Sequence, residues 1–227
     1  MKIIYTGLES AGKSLKLAMV AHSLVERNQK YFNRTDIKRP IYSNQLFSHE
    51  FEVFASIRNV PIIYWKNLTE LIGIEDADVI VDEVGNYFDA RGWENLSLDV
   101  RRWLTQGAKS GVELYGSAQD FAQIDKAFRR LVNELYEVIK VVGSPRPSAT
   151  RPTSKPWGIC WVLALNPREY NEDSKEVLSY FAGPFFIRQF YTDMFNTRQK
   201  ITKSDPPPLL KEVRVCLEDG FKRVRYY

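Results

Sequence analysis

At 227 residues, 44% hydrophobic and 26% charged, the chain is long enough for one α/β domain with an appendage and has an ordinary globular composition. A net charge of +4 and a pI of about 8.9 permit an acidic partner such as nucleic acid without specifying one. Two cysteines (Cys160, Cys216) and two histidines (His22, His49) exclude a disulfide framework and a His/Cys metal cluster. The expected setting is therefore a reducing cytoplasm, with no signal peptide and no transmembrane segment.

The chain opens on Ile3-Ile4-Tyr5, an apolar run of strand length. Gly7-Leu8-Glu9-Ser10-Ala11-Gly12-Lys13-Ser14 follows and fits G-x-x-x-x-G-K-[ST], the phosphate-binding P-loop. Its physics predicts a triphosphate ligand. Gly7 and Gly12 let the backbone turn its N–H groups inward, and a helix starting at about Lys13 presents its positive end. Lys13 reaches the β- and γ-phosphates, and the Ser14 hydroxyl ligates Mg²⁺. Gly7, Ser10, Ala11, Gly12, Lys13, Ser14 and Leu15 form the ATP cradle. Leu17, Ala21 and Leu24 give the helix its apolar stripe.

Residues from Tyr31 to Arg39 are polar and read as a helix exit or loop. Short strands are expected at Pro40–Asn44 and Ile62–Tyr64, with Asn67 capping a helical turn through Leu71. Asp78-Val79-Ile80-Val81-Asp82-Glu83 reads as an apolar strand ending in two carboxylates. Beyond it the pattern predicts a helix over Leu98–Ala108, a strand over Val112–Ser117, a helix over Ile124–Leu131 and a strand over Leu135–Val142. This alternation predicts an α/β fold with a mostly parallel sheet and helices on both faces.

Val138 to Arg168 holds no acidic residue but contains Lys140, Arg146, Arg151, Lys155 and Arg168 among several prolines. It reads either as a solvated surface loop or as a basic extended segment against nucleic acid or a neighbouring subunit. Within it Trp157–Leu165 is strand-length. Pro206-Pro207-Pro208 is a stiff spacer, and alternating Val213/Val215 and Val224/Tyr226 around Asp219-Gly220 predict a β-hairpin. The expected division is a P-loop ATPase domain over 1–204 and a C-terminal β appendage over 205–227.

Asp82 and Glu83 fit a Walker B pattern. Asp82 orients Mg²⁺, and Glu83 polarises the attacking water. Gln119, at the end of the next strand, can touch the γ-phosphate or that water. Arg129 or Arg130, on the following helix, can serve a neighbouring subunit as an arginine finger.

Gly7–Ser14, Ile41-Tyr42-Ser43-Asn44, Val79–Glu83, Trp103…Lys109-Ser110-Gly111, Ser117-Ala118-Gln119, Ile124-Asp125…Phe128-Arg129-Arg130-Leu131-Val132 and Phe190-Tyr191-Thr192 come in an order that resembles the Zot-like ATPases. These are the nucleotide-binding domains of zonula-occludens-toxin-like and filamentous-phage assembly proteins, within the FtsK/HerA superfamily. The resemblance spans roughly residues 1–200. It implies a RecA-like core, a homo-oligomeric ring with a finger supplied in trans, and ATP-driven movement of viral DNA during assembly or packaging. It also implies work in the host cytoplasm or on the virion, with capsid or membrane assembly proteins as partners. Unlike the membrane-anchored members, this chain shows no transmembrane helix, which fits a packaging motor better than extrusion through an envelope. A nucleotide-dependent assembly or switch protein and a small-molecule kinase remain open on the same residues.

Overall fold

The opening apolar run is β1 (Lys2–Thr6), buried along its whole length at the centre of an eight-stranded sheet. The computed structural model describes residues 1–89, 96–107, 109–144, 157–170 and 179–200. From β1 the chain turns through the glycine loop into α1 (Lys13–Thr35), whose Leu17, Ala18, Ala21, Leu24 and Val25 recur at helical spacing and are buried. α1 ends at Asp36, which takes the left-handed conformation common just past a helix.

Next come β2 (Ile41–Ser43), β3 (Gln45–Phe47), α2 (His49–Ile57), β4 (Ile62–Tyr64) and β5 (Asp78–Val81). α2 starts at Ser48, whose hydroxyl accepts the Phe51 N–H, and acidic Glu50 and Glu52 sit in its first turn. α3 (Leu98–Gln106), β6 (Glu113–Ser117), α4 (Lys126–Arg129) and β7 (Glu134–Ser144) continue the alternation. The described chain finishes with β8 (Trp157–Leu165), β9 (Ser179–Ile187), α5 (Gln189–Asp193) and β10 (Phe195–Lys200).

The sheet order is β4-β2-β5-β6-β1-β7-β8-β9. All pairs from β4 to β7 are parallel; β7–β8 and β8–β9 are antiparallel. β10 pairs with β3 in a separate small sheet. This is an α/β, RecA-like architecture with an antiparallel wing. β6 lies between the strand that leads into the P-loop and the strand that ends in Asp82. One face of the sheet packs against α1, with Phe47, Phe51, Cys160, Val162 and Phe185 in the same core. The other packs against Val100, Trp103 and Leu104 of α3 and Phe128 of α4, where the Phe88 and Phe128 rings stack at 4.3 Å.

Several expectations change in detail. α3 stops at Gln106, with residue 108 outside the described residues. The helix expected over Ile124–Leu131 is shorter: a 3₁₀ turn at Phe121–Gln123 precedes α4, capped by Asp125. Asp125 Oδ1 accepts the Ala127 N–H at 2.6 Å, so the helix begins only after it. The basic stretch over 138–168 is not one extended loop, because its two flanks pair as β7 and β8. Val138, Cys160 and Val162 are buried, which outweighs the loop-like composition around them. Residues 145–156, where the prolines crowd, and the hairpin expected within 205–227 lie outside the described residues.

Candidate nucleotide site

The P-loop joins the carboxyl end of β1 to the amino end of α1, where parallel strands present ligand sites. Gly7 has φ +141° and Gly12 φ +101°. A Cβ at Gly7 would overlap the Val138 carbonyl oxygen, so glycine there answers both the backbone angle and close approach of β7. Ser10 also takes a left-handed conformation, at φ 59°. The loop rests on the antiparallel wing. The Cys160 thiol lies 3.4 Å from the Ala11 carbonyl, and Cys160 and Phe185 stand directly beside the Gly12 α-carbon.

Lys13 is buried, and its Nζ donates to the carbonyls of Gly7 at 2.7 Å and Leu8 at 2.8 Å. Burial pulls its pKa below the ordinary lysine value, while the charges of Glu83, Asp82 and Glu9 oppose that shift. Those carboxylates are therefore close enough to act on the lysine. Lys16, one turn on, stands over the rings of Tyr5 and Phe185 at 5.8 and 5.6 Å, and burial lowers its pKa as well.

Asp82 follows β5 and is held by hydroxyls. Ser117 Oγ donates to its Oδ1 at 2.6 Å, and Ser14 Oγ donates to the same oxygen at 3.3 Å. Asn44, between β2 and β3, clamps its backbone: Nδ2 donates to the Asp82 carbonyl at 2.9 Å, and Oδ1 accepts the Asp82 N–H at 2.7 Å. Glu83 sits at φ 58°, ψ 66°, a left-handed conformation that costs a non-glycine residue roughly 1–2 kcal/mol. The Ser117 hydroxyl accepts its N–H at 3.0 Å and helps hold that conformation. Ser117 thus ties the two carboxylate residues together from the strand between them and the P-loop.

Ser14 and Asp82 meet the requirement for Mg²⁺, a hard cation that takes oxygen ligands and keeps several waters. A hydroxyl from α1 and a carboxylate from β5 share one hydrogen bond across the loop, so the two donors already converge.

Of the residues expected at the site, the tertiary structure brings together Gly7, Ser10, Ala11, Gly12, Lys13, Ser14, Leu15, Asp82 and Glu83. Gln119 is exposed just beyond β6, between the strands bearing the P-loop and Asp82. Arg129 is half-buried, its guanidinium 5.9 Å from the Phe121 ring, and Arg130 is exposed. Asn44 and Ser117 were legible only as parts of polar strand ends, because their partners lie on other strands.

No protein-family model matches the chain, and no curated protein aligns with it significantly. Solved structures do resemble it. The N-terminal domain of zonular occludens toxin from Neisseria meningitidis superposes with a TM-score of 0.51 at 17% identity, covering 86% of this chain and 98% of that one. The genome packaging NTPase B204 of Sulfolobus turreted icosahedral virus 2, in complex with AMP, gives a TM-score of 0.46 at 12% identity over 78% and 95%. The flagellar accessory protein FlaH of Methanocaldococcus jannaschii gives 0.41 at 14% over 79% and 78%. The first of these likenesses establishes a shared fold. Among the described residues no helix is long and apolar enough to cross a membrane.

Proposed function

We propose that the chain is an ATP-hydrolysing motor that moves viral DNA during virion assembly or genome packaging. The observation that carries this reading is the convergence of Lys13, Ser14, Asp82 and Glu83 at the carboxyl ends of the interior strands β1 and β5, latched by Ser117. On this reading the P-loop N–H groups and Lys13 bind the triphosphate, and Lys13 exchanges its hydrogen bonds to Gly7 and Leu8 for phosphate oxygens. Ser14 and Asp82 would hold Mg²⁺, which when bound would neutralise phosphate charge. Glu83 accepts a proton from the water that attacks the γ-phosphorus, and Gln119 orients that water. Arg129 or Arg130 reaches the site of a neighbouring copy in a homo-oligomeric ring, where a guanidinium stabilises charge on the transferring phosphoryl group.

A carboxylate at position 83 supports hydrolysis over phosphoryl transfer to a small acceptor, because its place is that of a base for water. The likeness in fold to the zonular occludens toxin domain is compatible with this reading. The motor works in the host cytoplasm, with capsid or membrane assembly proteins as its docking partners.

ATP turnover by the purified chain, with and without single- and double-stranded DNA, tests the proposal. Mg²⁺-dependent turnover that DNA raises several-fold is expected. Turnover indifferent to both DNAs would leave a nucleotide-dependent switch, and turnover only with a small acceptor would make the chain a kinase. Glu83→Gln is expected to bind ATP and to lose at least ~100-fold in turnover. Retained turnover would remove Glu83 as the base.

A further inference from the structure

Among the described residues the wing formed by β7, β8 and β9 is covered on one face only. Val138, Cys160, Val162, Phe185 and Ile187 turn inward and join the core beneath α1. Strand alternation turns their neighbours the other way. Ile139 stands opposite Trp161, Trp161 opposite Pro184, and Ile159 opposite Phe186. Phe181, opposite Leu163, shares this outer face, and its ring meets Trp161 edge-on at 5.9 Å. The core on this side of the sheet reaches only as far as Leu135 and Leu165.

The outer face is large and nearly uncharged. Trp157, Trp161, Phe181 and Phe186 are 46–61% exposed, and Ile139 and Val142 are 37% and 43% exposed. At about 150–250 Å² per ring, these side chains together present on the order of 600 Å² of apolar surface. That equals the largest patch usual on a monomer, about 300–600 Å². It also supplies the apolar centre of one side of a standard protein interface, about 800 Å² per partner. Within the three strands Glu137 is the one charged side chain that alternation and register place on this face among the described residues. Nucleic acid requires a positive surface, whereas aromatic enrichment with depletion of charge marks the centre of a protein interface.

We propose that this face docks a second copy of the chain, wing against wing, in a two-fold contact. An apolar face opposite its own copy buries both patches with little charge conflict, and two sheets pack face to face about 10 Å apart. The contact is separate from any that brings an arginine to the nucleotide site.

Light scattering across a concentration series, with acrylamide quenching of tryptophan, tests this on the full chain. The wild type is expected to form a dimer or a multiple of dimers, with quenching that falls as mass rises. Trp161→Glu should weaken this association at least tenfold. Trp161→Ser with Phe186→Ser provides the same test if the glutamate variant fails to fold. A wild type that stays monomeric overturns the proposal, as does a glutamate variant with unchanged mass and quenching. Tryptophan protected only by oligo-dT, only by anionic lipid vesicles, or by residues 205–227 in a monomer assigns the face elsewhere and also overturns it. ATPγS titration of Trp161→Glu separates this proposal from the nucleotide reading: a variant of lowered mass that still binds the analogue supports docking, and absent binding in a wild type whose association Trp161→Glu disrupts counts against the nucleotide reading alone.

Discussion

An aspartate stands at the start of β5 and another just past its end, and the two live in opposite chemistry. Asp78, at the amino end, is fully buried and saturated by cations and an amide. Arg27 donates to its Oδ1 at 2.6 Å and Arg39 at 2.9 Å, and Asn28 donates to Oδ2 at 2.8 Å. Glu113, opposite it on β6, receives Arg27 at 2.7 Å and the Tyr115 hydroxyl at 2.7 Å. Asp82, just past the carboxyl end, meets the hydroxyls of Ser14 and Ser117. The amino end is therefore a closed ion-pair network that ties α1 to β5 and β6. At the carboxyl end, hydroxyl partners leave the charge of Asp82 uncompensated by any arginine in these bonds, and a cation or phosphate chemistry can use it. One strand thus carries a saturated ion-pair network at one end and, under the proposed function, the ligand chemistry at the other.

The sharpest way to break this contrast is to remove each aspartate in turn. Asp78→Ala strands the half-buried Arg39 and the half-exposed Arg27, and is expected to cost about 3–5 kcal/mol of stability in urea unfolding. A loss below ~1 kcal/mol would show that the network adds little. Asp82→Ala should change stability by no more than about 1 kcal/mol while lowering ATP turnover at least ~100-fold. Unfolding on that substitution would make Asp82 a structural residue like Asp78.

Ser117→Ala sharpens the comparison. It removes the donor to Asp82 and the acceptor for the Glu83 N–H, an effect of about 1–3 kcal/mol. Turnover should fall about tenfold with ATP affinity nearly unchanged, read as kcat against KM. A change in KM alone would place Ser117 in binding rather than in positioning the carboxylates.

The smallest effect concerns acid. Burial opposes the charge on Glu113, but the hydrogen bonds from Arg27 and Tyr115 and the charge of Arg27 outweigh it and hold its pKa below the ordinary 4.5. The group then contributes stability that is fully present above that value and is lost as pH falls through the lower folded-state value. Urea midpoints for wild type and Glu113→Gln should converge as pH drops below 4.5. Parallel curves would show that Glu113 does not titrate with folding.

Much of the nucleotide loop was readable because its geometry is local. Gly7, Gly12, Lys13 and Ser14 sit within eight consecutive residues, and the buried stripe of α1 follows at helical spacing. The Asp82-Glu83 pair was visible at the end of an apolar run for the same reason. The wing was harder, because proline and basic residues between Ser144 and Trp157 obscure two strands whose burial comes from packing on α1 and the P-loop. β3 and β10 pair across most of the chain, and so short a strand carries little pattern of its own.

By itself the sequence determined the α/β alternation, the glycine loop between β1 and α1 and the two carboxylates that follow β5, since each depends on residues near one another in the chain. Only the tertiary structure decided that β6 runs between those motifs, that Ser117 and Asn44 hold Asp82, and that the wing supports the loop on one face while exposing aromatic rings on the other. Those contacts join residues far apart in sequence, and strand order, which no local periodicity encodes, sets which of them meet.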